Sequence, residues 1–455
     1  MLLLELNILT LNIWGIPYVS SDRGPRLEAI CKELSSGKYD IVSLQEVWAQ
    51  HDSEQLQEKT ASVLPYAHYF HSGVMGAGLL VLSKYPILGT LFHAWSVNGY
   101  FHRIQHADWF GGKGVGLCRI LIGDQMVHLY NAHLHAEYDN DNDEYKTHRV
   151  IQAFDTAQFI EATRGNSVLQ ILAGDLNAQP QDISYKVLLY TSKMLDSCAS
   201  DTFRTNECDH NSYTSARALS RNPRGIRIDH IFVRGGDNIN AEIVEYTLPF
   251  PDRVPGQKFS FSDHEAVLAK LKLSRTTRNT DPGAAGDGAE VATIEVNCEV
   301  VEETCPSREQ GGGDGPAATI PPTADATAAK CNGSSIRTPD KSCSSIQPLP
   351  AARTAALQEA LALCDASLLQ LNTDRILYYS AATFLFVLLV LLVEFTAPVG
   401  MRTIFLLLKF IVFGVILFCV FMASIWNYME RNGVLQGKKS MEIMLHHAQK
   451  YEYFY

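Results

Sequence analysis

The sequence predicts an α/β layered domain over residues 1–273, then a linker and a pair of membrane-spanning helices. Three observations carry this. Short runs rich in Val, Ile and Leu alternate with helical periods through the first part of the chain. Most of these runs end in, or follow, a small polar cluster, as strands do when they deliver side chains to one rim of a sheet. Two long, almost uncharged stretches stand near the C-terminus.

Residues 5–13, 39–45, 78–83, 116–122, 127–132, 168–173, 226–233 and 265–271 read as strands, each bounded by turn residues. The opening MLLLELNILTLNIWG reads as the first of them and not as a signal peptide, because it has no basic start and carries Glu5 early. Helical periods fall at 25–35, 143–162 and 182–190. In the second of these, Val150, Ile151, Phe154, Ala157, Phe159 and Ile160 form one apolar face. This alternation implies a layered α/β domain without distinguishing one sheet from two.

From 274 to 352 the composition turns to Gly, Ala, Pro, Thr and Ser, too poor in large apolar residues to offset its ordering entropy, and reads as a disordered tether. Residues 353–375 regain a stripe of Leu357, Leu361, Cys364, Leu368 and Leu371, an amphipathic juxtamembrane helix that packs on the domain or on the membrane face and is too short to make a dimerisation seam. The stretch 376–393 would span about 27 Å as a helix, close to a hydrocarbon core. The stretch 404–426 carries one charge, Lys409, placed to snorkel. The short connection through Pro398 and Gly400 makes them a hairpin with both flanks on one side. Arg375, Arg431, Lys438 and Lys439 on those flanks outweigh Arg402 in the loop, so the domain and the tail 427–455 are expected in the cytosol. Truncation before about residue 354 is expected to leave a soluble domain that keeps its chemistry.

The chain carries 38 Lys+Arg against 49 Asp+Glu, a net charge of -11, which argues against the basic surface of a nuclease. None of the 10 cysteines lies in a C-x-x-C pair, which argues against zinc or dithiol chemistry. Cys31 and Cys118 read as core thiols, the linker cysteines as free thiols in a reducing compartment, and Cys364 as a lesser candidate for palmitoylation.

The polar clusters are Asn12 in LNIWG, Gln45-Glu46 in SLQEVW, Asn131 and His133 in NAHLHAEY, Asp175 and Asn177 in AGDLNAQP, Asp229 in RIDHIFV, and Ser262-Asp263-His264 in FSDHEAV. Together they describe a metal-assisted phosphoester-cleaving site. Glu46, an acidic residue after a buried strand, is the expected ligand of Mg²⁺, a hard ion satisfied by one or two protein oxygens and several waters; a helix-capping Glu is the bland alternative. Asn12 would help place Glu46 and the metal. Asp175 and Asn177, two apart, would leave one face of a strand unless GDLN is a simple turn. His264 has the pKa suited to a general base, held by Asp229 or Asp263.

The order of these clusters is similar to that of the endonuclease/exonuclease/phosphatase superfamily. LNIWG, QEVW, DWFGGKGVG, THRV preceded by HLHAEY, GDLN and SDH resemble the magnesium-dependent, membrane-type neutral sphingomyelinases, over residues 5–272 and the two apolar segments. The resemblance implies a DNase-I-like sandwich of two sheets flanked by helices. It implies hydrolysis of sphingomyelin to ceramide and phosphocholine with Mg²⁺, Mn²⁺ as a substitute. The alternatives are a phospholipase C on lyso-phosphocholine lipids and a phosphoinositide phosphatase or nuclease.

By the same resemblance Asp175 orients the attacking water, Asn177 donates to the phosphoryl oxygens, and Asp229 orients His264. Asp263 lies near the base and phosphate, and His133 contacts the phosphate and protonates the ceramide oxygen, with His135 a weaker choice. Asn131 counts among the substrate-binding residues, as do Asp108 and Lys113, which belong to a loop coupling lipid binding to assembly of the site. Trp109 and Phe110 would anchor in the interface or meet the choline cation. Implied partners are phosphocholine lipids and bilayer lipids; anionic lipids and an oligomer are left open, and the charge balance implies no nucleic acid. The implied membrane is the endoplasmic reticulum.

Overall fold

The computed structural model describes residues 2–106, 108–139, 141–275 and 349–450. The elements run β1 (Leu2–Asn12), α1 (Arg23–Leu34), β2 (Ile41–Gln45), α2 (Gln50–Thr60), β3 (Tyr66–Phe70), β4 (Leu79–Ser83), β5 (Ile87–Ala94), α3 (Asp108–Gly111), β6 (Gly114–Ile122), β7 (Gln125–His133), α4 (Lys146–Ala162), β8 (Leu169–Asp175), α5 (Ile183–Ser192), β9 (Leu195–Asp196), α6 (Ala216–Arg221), β10 (Asp229–Gly235), β11 (Ile239–Thr247) and β12 (Val267–Arg275). Then follow α7 (Leu349–Glu394), α8 (Arg402–Phe421), a π-helical turn (Met422–Trp426) and α9 (Asn427–Lys450).

Two sheets are present, ordered β11-β12-β1-β2-β4-β3 and β5-β6-β7-β8-β10-β9. The central strands are buried on both faces, which is why they read as continuous apolar runs. Leu6, Ile8, Ile41, Val81, Ile120, Leu129, Ile171, Val233 and Leu271 form the apolar core between the sheets. Ser43 Oγ crosses it to donate to the Ala173 carbonyl at 2.9 Å. On the far side of the first sheet Leu27, Ile30 and Leu34 of α1 and Leu56 of α2 cover Leu9, Val42 and Leu82. On the far side of the second, α4 and α5 cover Leu117, Tyr130, Leu172 and Phe232 through Ala153, Ala157, Ile160 and Leu188. The two-sheet sandwich with outer helices is therefore the observed fold.

A further layer lies on the sandwich, and of the two expected faces for the 353–375 stripe it takes the domain. The stripe at 353–375 and the first apolar stretch are one helix, α7, and residues after 426 continue as α9. Ala356, Leu357, Ala360, Cys364 and Leu371 of α7, with Val434 and Met441 of α9, share a core with Val97, Val150, Ile151, Phe154, Ile183 and Val187 of the sandwich. Glu430 of α9 forms a buried hydrogen bond with His148 of α4. Phe101 packs on Phe421 and Trp426 at ring-centroid distances of 5.4 and 4.6 Å. The sandwich and these helices form one compact unit, Met1–Cys198 with Thr202–Arg278 and Gln347–Tyr455. The expected detachable anchor is thus a docked layer, and the Cys364 thiol proposed for palmitoylation is fully buried beneath it.

The second unit, Ala199–Asp201 with Asn279–Ile346, lies outside the described residues except for Ala199–Asp201. The predicted tether, with its cysteines, lies there too, apart from its ends in β12 and α7. Beyond the docked layer, α7 and α8 are long and apolar enough to cross a membrane, and their apolar windows are only 6% and 11% buried.

Candidate active site

Strand direction explains how residues so far apart in sequence meet. β1 and β2 are parallel and end at the register partners Asn12 and Gln45. β7 and β8 are parallel and end at the partners His133 and Asp175. β10 runs against β8, so its first residue, Asp229, lies beside Asp175. β12 runs against β1, so the residues just before it reach the same rim, where Ser262 Oγ donates to the Asn12 carbonyl at 2.7 Å.

At that rim the Asn12 amide nitrogen donates to Glu46 Oε1 at 3.1 Å and to Asp175 Oδ2 at 2.9 Å. Its Oδ1 accepts the Trp14 N–H at 2.9 Å, so Asn12 positions both carboxylates. His264 Nδ1 lies 2.8 Å from Asp229 Oδ2, and its Nε2 lies 3.9 Å from Asp175 Oδ2. On the opposite flank His133 Nε2 is 3.5 Å from Asp175 Oδ2, 4.0 Å from Glu46 Oε1 and 3.3 Å from Lys113 Nζ. One oxygen, Asp175 Oδ2, thus stands between two imidazoles. Trp14, Glu46 and Asn177 are held at positive φ of 48°, 58° and 44°, each costing about 1–3 kcal/mol and maintained by the surrounding packing. Gly15 is required here, since a Cβ would lie 2.3 Å from the Glu46 carbonyl oxygen.

Burial, reinforced by Asp263, pushes the Glu46 carboxyl up to about 7. Burial likewise raises Asp263. For His264 burial opposes the charge, but Asp229 and Asp175 outweigh it and hold the proton on the ring well above the usual range. Burial and the Lys113 ammonium push His133 down to about 3, so that ring is neutral.

The remaining predicted residues fall less simply. Asn131 faces the other sheet: its Oδ1 accepts from Gln45 Nε2 at 2.8 Å, and its Nδ2 donates to Leu44 and Leu80 carbonyls at 3.0 and 3.3 Å. It is fully buried, and its assignment to substrate binding is corrected to an inter-sheet cross-link. The period-two argument for Asn177 fails, because β8 ends at Asp175. Asn177 instead turns back, its N–H on Asp175 Oδ1 at 2.9 Å and its Nδ2 on the Leu134 carbonyl at 3.0 Å.

Asp108 and Lys113 are buried as a 2.5 Å ion pair rather than lining an open loop. Burial works against the Asp108 charge, yet Lys113 and His135 keep its pKa far below the ordinary carboxylate value. His135 lies past the end of β7, stacked on Tyr145 at 3.9 Å with Nε2 3.6 Å from Asp108 Oδ2. Trp109 contacts Phe101 and Trp426, so it meets the end of the second apolar segment.

Three residues that hold the site were not anticipated. Arg26 is buried and donates to the carbonyls of Ile13, Trp14, Ser21 and Phe261, binding the loops beside Asn12 and His264. Thr205 Oγ1 accepts the N–H groups of Ile228 and Asp229, both at 3.1 Å. The Tyr138 hydroxyl donates to Asp108. A lone Arg in an amphipathic helix, a Thr or a Tyr in a loop carries no local sequence signal.

A divalent cation fits this donor set. Glu46 Oε2 is buried without a hydrogen-bond partner, as is Asp229 Oδ1, and such oxygens are costly unless a cation or water meets them. Asp175, Asp229 and His264 also present ligand atoms within 4.8 Å of one another. With His264 Nδ1 engaged by Asp229, the free oxygen of Glu46 is the better ligand.

Residues 9–264 match the endonuclease/exonuclease/phosphatase family. A Drosophila melanogaster protein described as "Putative neutral sphingomyelinase" is 81% identical over 458 residues, covering 100% of both chains. Human sphingomyelin phosphodiesterase 2 is 36% identical over 295 residues, 63% of this chain and 69% of that protein. Among solved structures, sphingomyelinase C from Streptomyces griseocarneus aligns with a TM-score of 0.46 and 21% identity, covering 59% of this chain and 99% of its own. The chain belongs to the endonuclease/exonuclease/phosphatase family and, within it, to the neutral sphingomyelinases.

Proposed function

We propose that the protein hydrolyses sphingomyelin to ceramide and phosphocholine at the rim defined by Asn12, Glu46, His133, Asp175, Asp229 and His264, with Mg²⁺ as its cation. The observation that carries this is the convergence of these six side chains, from six strand ends, around Asp175 Oδ2 and an unsatisfied Glu46 oxygen. Glu46 holds the cation, which when bound supplies positive charge to the phosphoryl oxygens.

Asp175 aligns water for attack on phosphorus, and His264 Nε2 takes its proton while Asp229 fixes the ring through Nδ1. Without a cation the surrounding carboxylates keep His264 protonated, the wrong form for a base. A cation held by Glu46 would set positive charge against those carboxylates, the condition under which His264 would accept a proton. His133, neutral and beside Lys113, is not the proton source that the family resemblance implies; it donates a hydrogen bond toward the ceramide oxygen, which takes its proton from solvent as the P–O bond breaks. Asn177 and Asp263 border the phosphate, and Lys113 with Asp108 and Trp109 forms the wall on the membrane side. Mn²⁺, also octahedral and oxygen-seeking, would substitute.

The proposed setting is a two-span protein of the endoplasmic reticulum with its catalytic sandwich in the cytosol, acting on phosphocholine lipids beside anionic ones and not on nucleic acid. The net charge of -11 and the Lys and Arg residues beside the hairpin support this. The test is phosphocholine release from sphingomyelin, with lysophosphatidylcholine, a phosphoinositide and DNA run alongside, with and without Mg²⁺. Faster turnover of any of those three, or full activity in chelator, would overturn the reading.

A further inference from the structure

Cys208, His210 and Glu265 bring three chemically different ligand atoms together one residue beyond His264. A thiol sulfur, a ring nitrogen and a carboxylate oxygen lie within 4.8 Å of one another. His210 Nε2 is 3.3 Å from Glu265 Oε1, and Asp252 Oδ1 stands 4.0 Å from the same nitrogen. Cys208 and Glu265 are 2% and 7% exposed, whereas the His210 side chain is 37% exposed and leaves a way in from solvent. Outer contacts fix the inner pair: Asn211 Nδ2 donates to Glu265 Oε1 and to the Ser262 carbonyl, both at 3.0 Å. A turn closed by Asn211 N–H on the Cys208 carbonyl at 3.1 Å holds Cys208 and His210 together.

Sulfur with imidazole and carboxylate is a donor set for Zn²⁺, not for Mg²⁺, which takes oxygen and keeps its waters. We propose that Cys208, His210 and Glu265 form a binding site for a zinc-like divalent cation, separate from the phosphoester site, with Asp252 or water as the fourth ligand. On binding, the Cys208 thiol releases its proton to solvent, so the cation meets one thiolate and one carboxylate. The site joins the two stretches that frame the general base. Asn206 forms a backbone bridge to His264 and donates through Nδ2 to the Asp263 carbonyl at 3.3 Å. Glu265 N–H donates to the Thr205 carbonyl at 2.6 Å, and Thr205 in turn caps Asp229. A cation here therefore fastens the frame in which His264 meets Asp229.

The experiment uses the full-length chain in detergent with Cys298, Cys305, Cys331 and Cys343 changed to Ser, in excess Mg²⁺. Added Co²⁺ should give a sulfur-to-cobalt charge-transfer band that saturates at one equivalent, and Zn²⁺ should displace it and raise the melting temperature. Cys208→Ala and His210→Ala should each remove the band and the Zn²⁺ stabilisation while keeping phosphocholine release in Mg²⁺. His210 is partly exposed, so His210→Ala decides the matter if Cys208→Ala fails to fold. No thiolate band in the parent, or a band that survives His210→Ala, would overturn the site.

Discussion

Removing the C-terminal helices should cost the sandwich much of its stability, not merely its anchor. Deletion after residue 348 strips the cover from Val97, Ile151, Phe154, Ile183 and Val187, each at most 3% exposed in the full chain. Full burial of such side chains contributes about 1.5–3 kcal/mol each. The five together hold roughly 10 kcal/mol, part of which survives through contacts inside the sandwich. If half is lost, the deficit is about 5 kcal/mol, against a usual total of 5–15 kcal/mol for a folded domain. The buried His148 also loses Glu430, a further penalty of the kind that follows removal of one partner from a buried hydrogen bond. At roughly 2–4 °C per kcal/mol for a domain of this size, the melting temperature should fall by about 10–20 °C. The assay compares melting, size-exclusion profile and phosphocholine release from detergent-dispersed sphingomyelin for residues 1–348 and the full chain. A monomeric 1–348 fragment that melts within about 2 °C of the full chain, with equal turnover, would refute the docked-layer argument.

Glu46→Gln should abolish turnover, with no rescue by excess Mg²⁺; activity at wild-type level would remove Glu46 from the metal's shell. The same substitution tests the pH linkage: a carboxyl raised from its ordinary value to about 7 stabilises the fold below about pH 4.5 and loses that contribution as pH rises through 7. In chelator, wild type should therefore lose up to roughly 3 kcal/mol relative to Glu46→Gln across that window, and a pH-independent difference would count against it. His264→Ala and His133→Ala should each lower kcat by about 10²–10⁴ with folding intact; a mild His133→Ala beside a severe His135→Ala would move the role to His135. Asn131→Ala should act on stability, by about 1–3 kcal/mol for the groups it leaves unpaired, and leave KM for sphingomyelin unchanged. A raised KM at unchanged melting temperature would restore Asn131 to the substrate. Tags at both termini should be digested by protease in sealed microsomes, and protection of either one would break the proposed hairpin topology.

The strands that were legible in the sequence are the interior ones. β1, β2, β4, β6, β7, β8 and β10 carry apolar residues on both faces and stand out as runs, while β12 stands out by alternation, with Lys270 and Lys272 opposite its buried face. The strands that escaped notice, β3, β5, β9 and β11, are the four edges of the two sheets. An edge strand has solvent on one flank and needs fewer apolar residues; β5, for instance, has no buried residue along its length. α2 was missed for a related reason, since it buries Asp52, Ser53 and Thr60 beside a single Leu56 and has almost no apolar stripe.

The site divides along the same line. Residues at strand ends announce themselves, because a polar side chain directly after a buried run must be met by something. Side chains that act from loops or helices, such as Arg26, Thr205 and Tyr138, give no such sign, because their partners are backbone groups chosen by the fold. Asn131 shows the converse error: one strand face holds both His133 at the rim and Asn131 two residues deeper, so alternation gives the face but not the depth.

The docked helices extend this reasoning from residues to layers. The stripe of Leu357, Leu361, Cys364, Leu368 and Leu371 is readable as a helix face, and so is the apolar face of α4. Nothing in either pattern says that the two meet. What identifies the partner is the polar complement, since Glu430 on an otherwise exposed helix turn is matched by His148 at the start of α4. From His148 the contacts continue through Tyr145 to His135, then to Asp108, Lys113 and His133. Trp426, at the end of the second apolar segment, packs directly on Phe101 and Trp109 of the neighbouring loop. A helix pair that anchored only by insertion would need neither contact. Together they tie the Asp108–Lys113 wall of the site to the same two helices that are long and apolar enough to cross a membrane.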